Sequence, residues 1–293
     1  MTARLVRVAY PVGALLLIVT VWELVKVLVP AQGVSIGAQR VLPRTTDAAL
    51  PHVWSVLTVF GEADGKRTVG ETLVRTAGFT FGLAMLALVI GTVVGVGLAV
   101  LMQRFAFVER GLLPYVVVSQ TVPLIALAPL VAGWGGRISI AGEPWRPWMS
   151  IAVIAAYLAF FPVALGMLRG LQSAPGAAVE LLHSYSASWW DTLVRLRFPA
   201  AIPHFLPALR LAAAASVIGA VVAEISTGTA GGIGRQIIVF SQQATGDASR
   251  LFAAVLAAAL LGVAVTGVVT LIERALNRYN RPAGAGHSPG GTR

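Results

Sequence analysis

The chain has 293 residues, 57% of them hydrophobic and only 12% charged, against roughly 25% charged in a soluble domain; that balance excludes a water-soluble fold and makes lipid the solvent. With no cysteine, disulfides, thiol catalysis and cysteine-held metals are excluded. The formal charge of +10 comes mostly from arginine in loops and tails, for which anionic lipid headgroups are a simpler partner than nucleic acid.

Six stretches are long and apolar enough to cross a bilayer, at about 9–29, 78–102, 112–133, 148–170, 205–226 and 251–273. They are predicted to be helices, because a backbone in lipid must satisfy its own hydrogen bonds, and the alternation of a membrane barrel is absent. The first run follows Arg4 and Arg7, as a signal peptide would. It continues past Trp22 with no small-residue cleavage site, so an uncleaved helix is expected. Arginine near the ends of short loops gives only a mild bias in orientation, and the expectation that both termini lie inside rests more on the family resemblance of residues 180–199 given below.

Residues 30–77 form the longest non-spanning segment. It holds Pro30, Pro43 and Pro51, then the moderately apolar run His52–Phe60, which is expected to form a short interfacial helix. Gly61-Glu62-Ala63-Asp64-Gly65-Lys66-Arg67-Thr68 looks like a phosphate-binding loop but fails as one. It has three residues between the glycines instead of four, and Arg67 stands where Ser or Thr must reach the metal. A polar turn is expected there, and the chain is not expected to hydrolyse ATP.

In the second span, Gly78, Gly82, Gly91 and Gly95 put small residues where helices can approach closely. The third span carries Pro114, Pro123 and Pro129. Pro123 cannot donate to the Ser119 carbonyl, nor Pro129 to that of Ile125, so a kink is expected near Ser119-Gln120-Thr121. Freed carbonyls at membrane depth suit a surface facing protein or a water-filled cavity. Ser119, Gln120, Thr121 and Pro123 are therefore candidates for a translocation path, with improved packing as the alternative. Residues 134–148 hold Trp134, Trp145, Trp148, Arg137 and Arg146, which fit an interfacial belt or an outer contact with a partner.

The polar segment after the fourth span begins a helix at Pro175. Ser188 with Asp191 three residues on is a weaker version of the capping box, so a second helix follows. The turn between them includes Ser186, where glycine would permit positive φ without strain. The second helix is expected to expose Trp189, Trp190, Leu193 and Leu196. In the fifth span, Arg210 and Glu224 are 14 residues apart, about 21 Å along a helix, and cannot pair directly. Arg210 can snorkel to the inner interface. Glu224 is a path candidate, or else an interfacial glutamate tethered to Ser226 or Thr227. The histidines His52, His183, His204 and His287 show no ligand spacing. The tail 280–293 is rich in Gly and Pro and is expected to be disordered.

Glu180-Leu181-Leu182, three residues, Ser186, nine residues, Leu196-Arg197-Phe198-Pro199 resembles the EAA loop of permease subunits of binding-protein-dependent ABC importers. Leu181 and Leu182 replace the two alanines, and Ser186 replaces the glycine. Thr72–Phe79, Gln120–Leu130, Val222-Ala223-Glu224 and Gly232-Ile233-Gly234 look like the nitrate, sulfonate, taurine and pyrimidine-precursor branch. The stretch 135–147 is longer than that branch's usual connection. The resemblance covers about 70–276 and implies an all-α type I ABC importer permease fold. It also implies a docking role for Glu180, Leu181, Leu182, Ser186, Leu193, Leu196, Phe198 and Pro199 within a cytoplasmic hairpin at 174–200. Implied partners are a second permease copy, two ATP-binding subunits carrying ATP and magnesium, and an external substrate-binding protein. No cofactor is expected on this chain, and the bacterial cytoplasmic membrane is the expected location. A secondary transporter or channel is the alternative, and it would call for more ionisable residues at the midplane.

Overall fold

A computed structural model describes residues 2–36, 39–42, 44–140 and 142–279. The tail 280–293, with its expected disorder, lies outside the described residues. The chain packs as two compact units, Met1–Thr80 with Gly228–Leu260 and Phe81–Thr227 with Leu261–Arg293.

The first unit opens with α1 (Thr2–Leu28), which covers most of the first expected stretch, 9–29. Polar side chains near its end anchor the segment that follows. The Lys26 ammonium donates to the Thr45 carbonyl at 2.9 Å, to Asp47 at 2.6 Å and to the Leu50 carbonyl at 2.5 Å. All three donors of this side chain, which is only 7% exposed, are thereby used. Glu23 accepts from the Val53 amide at 2.8 Å and meets His52 at 2.9 Å. That contact fixes the start of α2 (Val53–Thr58), the short helix expected in 52–60. A hairpin of β1 (Val34–Ile36) and β2 (Gln39–Leu42) precedes it.

The loop that mimics a phosphate site is a tight hairpin of β3 (Ala63–Asp64) and β4 (Arg67–Thr68), turning through Gly65 at φ +64°. Arg250 clasps it, reaching Glu62 at 3.2 Å and the Ala63 carbonyl at 3.1 Å. Its backbone is committed to strand pairing, as a polar turn requires. Helix α3 (Val69–Arg104) then begins, and its Thr80 hydroxyl accepts from the Ile233 amide at 3.0 Å.

The second unit is built on close helix packing. Helices α4 (Ala106–Ser119), α5 (Leu124–Gly135) and α6 (Pro147–Gln172) are followed by α7 (Gly176–Ser184) and α8 (Trp189–Thr192). A π turn, Leu193–Arg197, leads into α9 (Phe198–Thr227). A short hairpin of β5 (Ser139–Ile140) and β6 (Glu143–Pro144) joins α5 to α6. Helix α10 (Ile233–Gln243) belongs to the first unit, and α11 (Ser249–Tyr279) ends the described chain.

Helices α6 and α9 form the tightest pair. A β-carbon added at Gly170 would lie 2.8 Å from Ala201, and one at Gly219 would lie 2.7 Å from the Ala155 backbone. Gly91 and Gly95 admit α6 to α3 in the same way. Small residues at crossings are the expected device where lipid supplies no hydrophobic drive between helices. Gly78 and Gly82 do not share this role, because the space beside each is open.

Four unbroken helices are long and apolar enough to cross a membrane, lying in Val69–Arg104, Pro147–Gln172, Trp189–Thr227 and Ser249–Ala275 among the described residues. The third expected span takes a different form from a kinked rod. It is two helices, α4 and α5, bent by 103° at the break. With 14 and 12 residues, they reach only about 21 and 18 Å, and neither alone crosses a core of about 30 Å.

Candidate functional site

The hairpin between α6 and α9 is fixed by local chemistry. Pro175 is the N-cap of α7, and its carbonyl accepts from the Ala178 and Val179 amides at 3.0 and 3.1 Å. The helix ends in a Schellman turn. The Ala187 amide donates to the Leu182 carbonyl at 3.0 Å and the Ser186 amide to that of His183 at 2.9 Å. Ser186 takes φ +56°, the left-handed value that glycine would adopt there. Serine at this position therefore keeps the turn and bears its strain. Ser188 starts α8 with a capping box. Its hydroxyl accepts from the Asp191 amide at 3.1 Å while its own amide donates to the Asp191 carboxylate at 3.3 Å.

Helix α7 buries none of its side chains within the chain. Glu180, Leu181, Tyr185 and Ser186 are exposed, and Leu182 is half-buried. On α8, Trp190 is 65% exposed, whereas Trp189 is half-covered with the Arg104 guanidinium 4.7 Å from its ring. Leu193 corrects the sequence-based expectation of an exposed face. It is 1% exposed and packs with Met102, Met167, Leu168, Leu171 and Ala201. Leu196 and Phe198 are half-buried, and Pro199 is exposed. Leu193 therefore anchors the hairpin to the helices instead of presenting it.

The second group of candidates lies at the α4–α5 break. The Ser119 carbonyl, which Pro123 cannot address, accepts from the Tyr157 hydroxyl of α6 and from the Val122 amide at 3.3 Å. Ser119 Oγ donates to the Val116 carbonyl at 2.7 Å, and Thr121 Oγ1 to that of Val118 at 2.8 Å. Gln120 is half-buried, while Thr121 and Pro123 are exposed. The break is thus a polar bend tied to α6 through Tyr157, a residue the sequence reading did not single out. Its signal was a lone phenol in an apolar helix, which must find an acceptor.

Glu224 is fully buried in α9. Ser226 Oγ is buried without a hydrogen-bond partner among the described residues, which removes Ser226 as its tether. Arg210 does more than snorkel. Its Nε donates to Glu273 of α11 at 2.6 Å, and Nη2 reaches the same oxygen. That partner is 63 residues away, beyond any local pattern.

Comparison with known proteins matches residues 91–278 to a family described as binding-protein-dependent transport system inner membrane component. Among relatives, the formylaminopyrimidine transport permease protein ThiX of Halalkalibacterium halodurans is 35% identical over 50% of this chain and 54% of its own length. The putative aliphatic sulfonates transport permease protein SsuC of Bacillus subtilis is 27% identical over 89% of this chain and 84% of its own. The chain spans little more than half the length of the first relatives it matches, 54 to 60%. A crystal structure described as an amino acid ABC transporter with histidines aligns with a TM-score of 0.54 at 20% identity, over 70% of this chain and 94% of that one. That likeness bears on the fold, and it agrees with the type I permease architecture expected from the sequence.

Proposed function

The chain belongs to the family of binding-protein-dependent transport system inner membrane components, and from that premise we propose that it forms the transmembrane path of an ATP-driven importer. Energy enters through the α7–α8 hairpin, which docks an ATP-hydrolysing partner that carries ATP and magnesium. An external binding protein delivers the substrate, and two copies of the chain enclose the path in a bacterial cytoplasmic membrane. The substrate is a small solute of the sulfonate, nitrate or pyrimidine-precursor kind.

The observation that carries this reading is a helix with no buried side chain, set between α6 and α9 by a Schellman turn and a capping box. A loop meant only to connect α6 and α9 has no need of a strained Schellman turn and a capping box. Docking falls to Glu180, Leu181, Tyr185 and Trp190, with Leu182, Ser186 and Leu196 beside them and Leu193 holding the hairpin's base. The bent pair α4–α5 must cross the membrane as one span, since otherwise the hairpin and both termini could not share the cytoplasmic side. The polar bend at Ser119, Gln120, Thr121 and Pro123, with buried Glu224, lines the path in this reading.

The test is ATP hydrolysis stimulated by loaded binding protein in proteoliposomes. Glu180→Arg reverses a charge in the docking surface and costs about 1.5–3 kcal/mol of contact energy, so stimulation falls by tenfold or more. Unchanged stimulation with unchanged assembly removes the hairpin from its role. Gln120→Leu and Glu224→Gln leave assembly intact and lower uptake or shift substrate preference, and parent-like uptake in both refutes the path.

A further inference from the structure

The chain itself joins the hairpin to α6 and α9, whereas α3 reaches it through side chains at its C-terminal end. Met102 lies in the cluster around Leu193. Arg104, the last residue of α3, sets its guanidinium 4.7 Å from the ring centre of Trp189, the first residue of α8. The Trp189 ring meets that of Trp190 edge to face, with centroids 4.7 Å apart and planes at 75°. Trp190 belongs to the docking face, and Trp189 is half-covered. The three side chains therefore run without a gap from the docking face to the end of a membrane-spanning helix.

Arg104 is exposed and makes no ion pair among the described residues. Its other close ring, Phe105 at 5.8 Å, is its own neighbour in the chain. A guanidinium over an indole is held by the ring quadrupole. A cation in the last turn also suits the helix dipole, but that role needs no aromatic partner.

The place of this contact matters more than its strength. Phe105 alone separates α3 from α4, and its extended backbone (φ −125°, ψ 102°) interrupts the helix. Arg104 therefore sits on one arm of a single-residue joint. The other arm is fastened elsewhere. Gln172, the last residue of α6, donates its amide to both oxygens of Glu109 in the first turn of α4, at 2.9 and 3.0 Å. One arm is thus tied to the stem that enters the hairpin and the other to the helix that leaves it. Displacing α8 relative to the end of α6 must change the angle at Phe105 or break a tie.

We propose that Arg104 is a positioning residue that makes the α3–α4 joint follow the hairpin. The proposal rests on the docking role given to the hairpin above. When the partner moves α8, the Trp189 ring carries Arg104 with it and the joint turns. Helix α4 leads from that joint to the polar bend at Ser119, so the motion reaches the proposed path without passing through α9.

The test uses the full chain with the proposed ATP-hydrolysing partner in lipid nanodiscs, without nucleotide and with ATP trapped by vanadate. Hydrogen exchange is read at the Ala187 amide in the hairpin turn and at the Phe105 amide, which donates to the Leu101 carbonyl at 3.1 Å. In the parent chain, trapping changes exchange at both. Arg104→Gln keeps the change at Ala187 and shrinks that at Phe105 about two- to fivefold, the weight of an exposed cation–π contact. Trp189→Leu does the same from the other side of the contact while leaving the cation at the helix end. Arg104→Lys and Trp189→Phe keep a cation on a ring and retain part of the response. A cation that merely steadies the end of α3 gives a different pattern: Arg104→Gln raises exchange equally in both states, and Trp189→Leu raises it in neither. That pattern, or a parent-like response at Phe105 in a folded Arg104→Gln or Trp189→Leu chain, overturns the proposal and leaves the docking role standing. No response at Ala187 in the parent chain removes the docking role and the proposal with it.

Discussion

Tyr157 donates its phenol hydroxyl to the carbonyl of Ser119, which lost its regular helical donor to Pro123. A defect at the end of α4 is thus repaired by α6. The repair leaves the Ser119 carbonyl paired at the point where α4 and α5 diverge by 103°.

Tyr157→Phe is expected to remove that donor while keeping the ring packed against Phe160. The Val122 amide remains, so the loss is about 1 kcal/mol. Thermal unfolding in detergent measures it. A parent-like midpoint would mean that Val122 alone satisfies the carbonyl.

Ser186→Gly should relieve the left-handed strain of the hairpin turn and stabilise it by about 1 kcal/mol. Ser186→Val should do the reverse and by more. The readout is hydrogen exchange at the Ala187 amide, which reports the bond to Leu182 directly. Faster exchange in the glycine variant would contradict the strain.

Leu193 and Trp190 separate anchoring from docking. Leu193→Ala opens a cavity in a closed cluster and costs about 2–5 kcal/mol of stability. Trp190→Ala leaves stability within about 0.5 kcal/mol, because the ring is mostly exposed. Co-purification with the proposed ATP-hydrolysing partner then falls for Trp190→Ala. If Trp190→Ala instead unfolds the chain, its ring belongs to the core.

Arg210 and Glu273 should behave as a coupled pair. Arg210→Leu and Glu273→Gln each destabilise the chain, but the double variant costs less than their sum by about 1 kcal/mol. Strictly additive effects in a double-mutant cycle would show that the contact carries no energy of its own.

The sequence made local features plain and long-range ones obscure, for physical reasons. Pro175, the Ser188–Asp191 pair and Pro123 act within four residues, so their helix starts and breaks are readable from spacing alone. The hairpin at Ala63–Thr68 is readable too, because it lacks what a phosphate loop needs. The Arg210–Glu273 pair and the Lys26 anchorage join residues many positions apart, and no periodicity connects them. The 103° bend was foreseen as a kink because proline fixes where a helix is interrupted but not how far it turns. Leu193 misled for a subtler reason: helical periodicity assumes 3.6 residues per turn, and the chain departs from that value at this residue.

The π turn at Leu193–Arg197 holds one residue more than an α-turn would. It lies inside the otherwise continuous rod Trp189–Thr227. One extra residue in a regular α-helix would rotate everything beyond it by about 100°. The wide turn takes up that residue instead, so the hairpin and the spanning helix keep nearly one phase. Deleting a single residue from this turn would restore an α-turn and leave both flanks in nearly their present phase, whereas the same deletion elsewhere in the rod would swing Trp190 by about 100°.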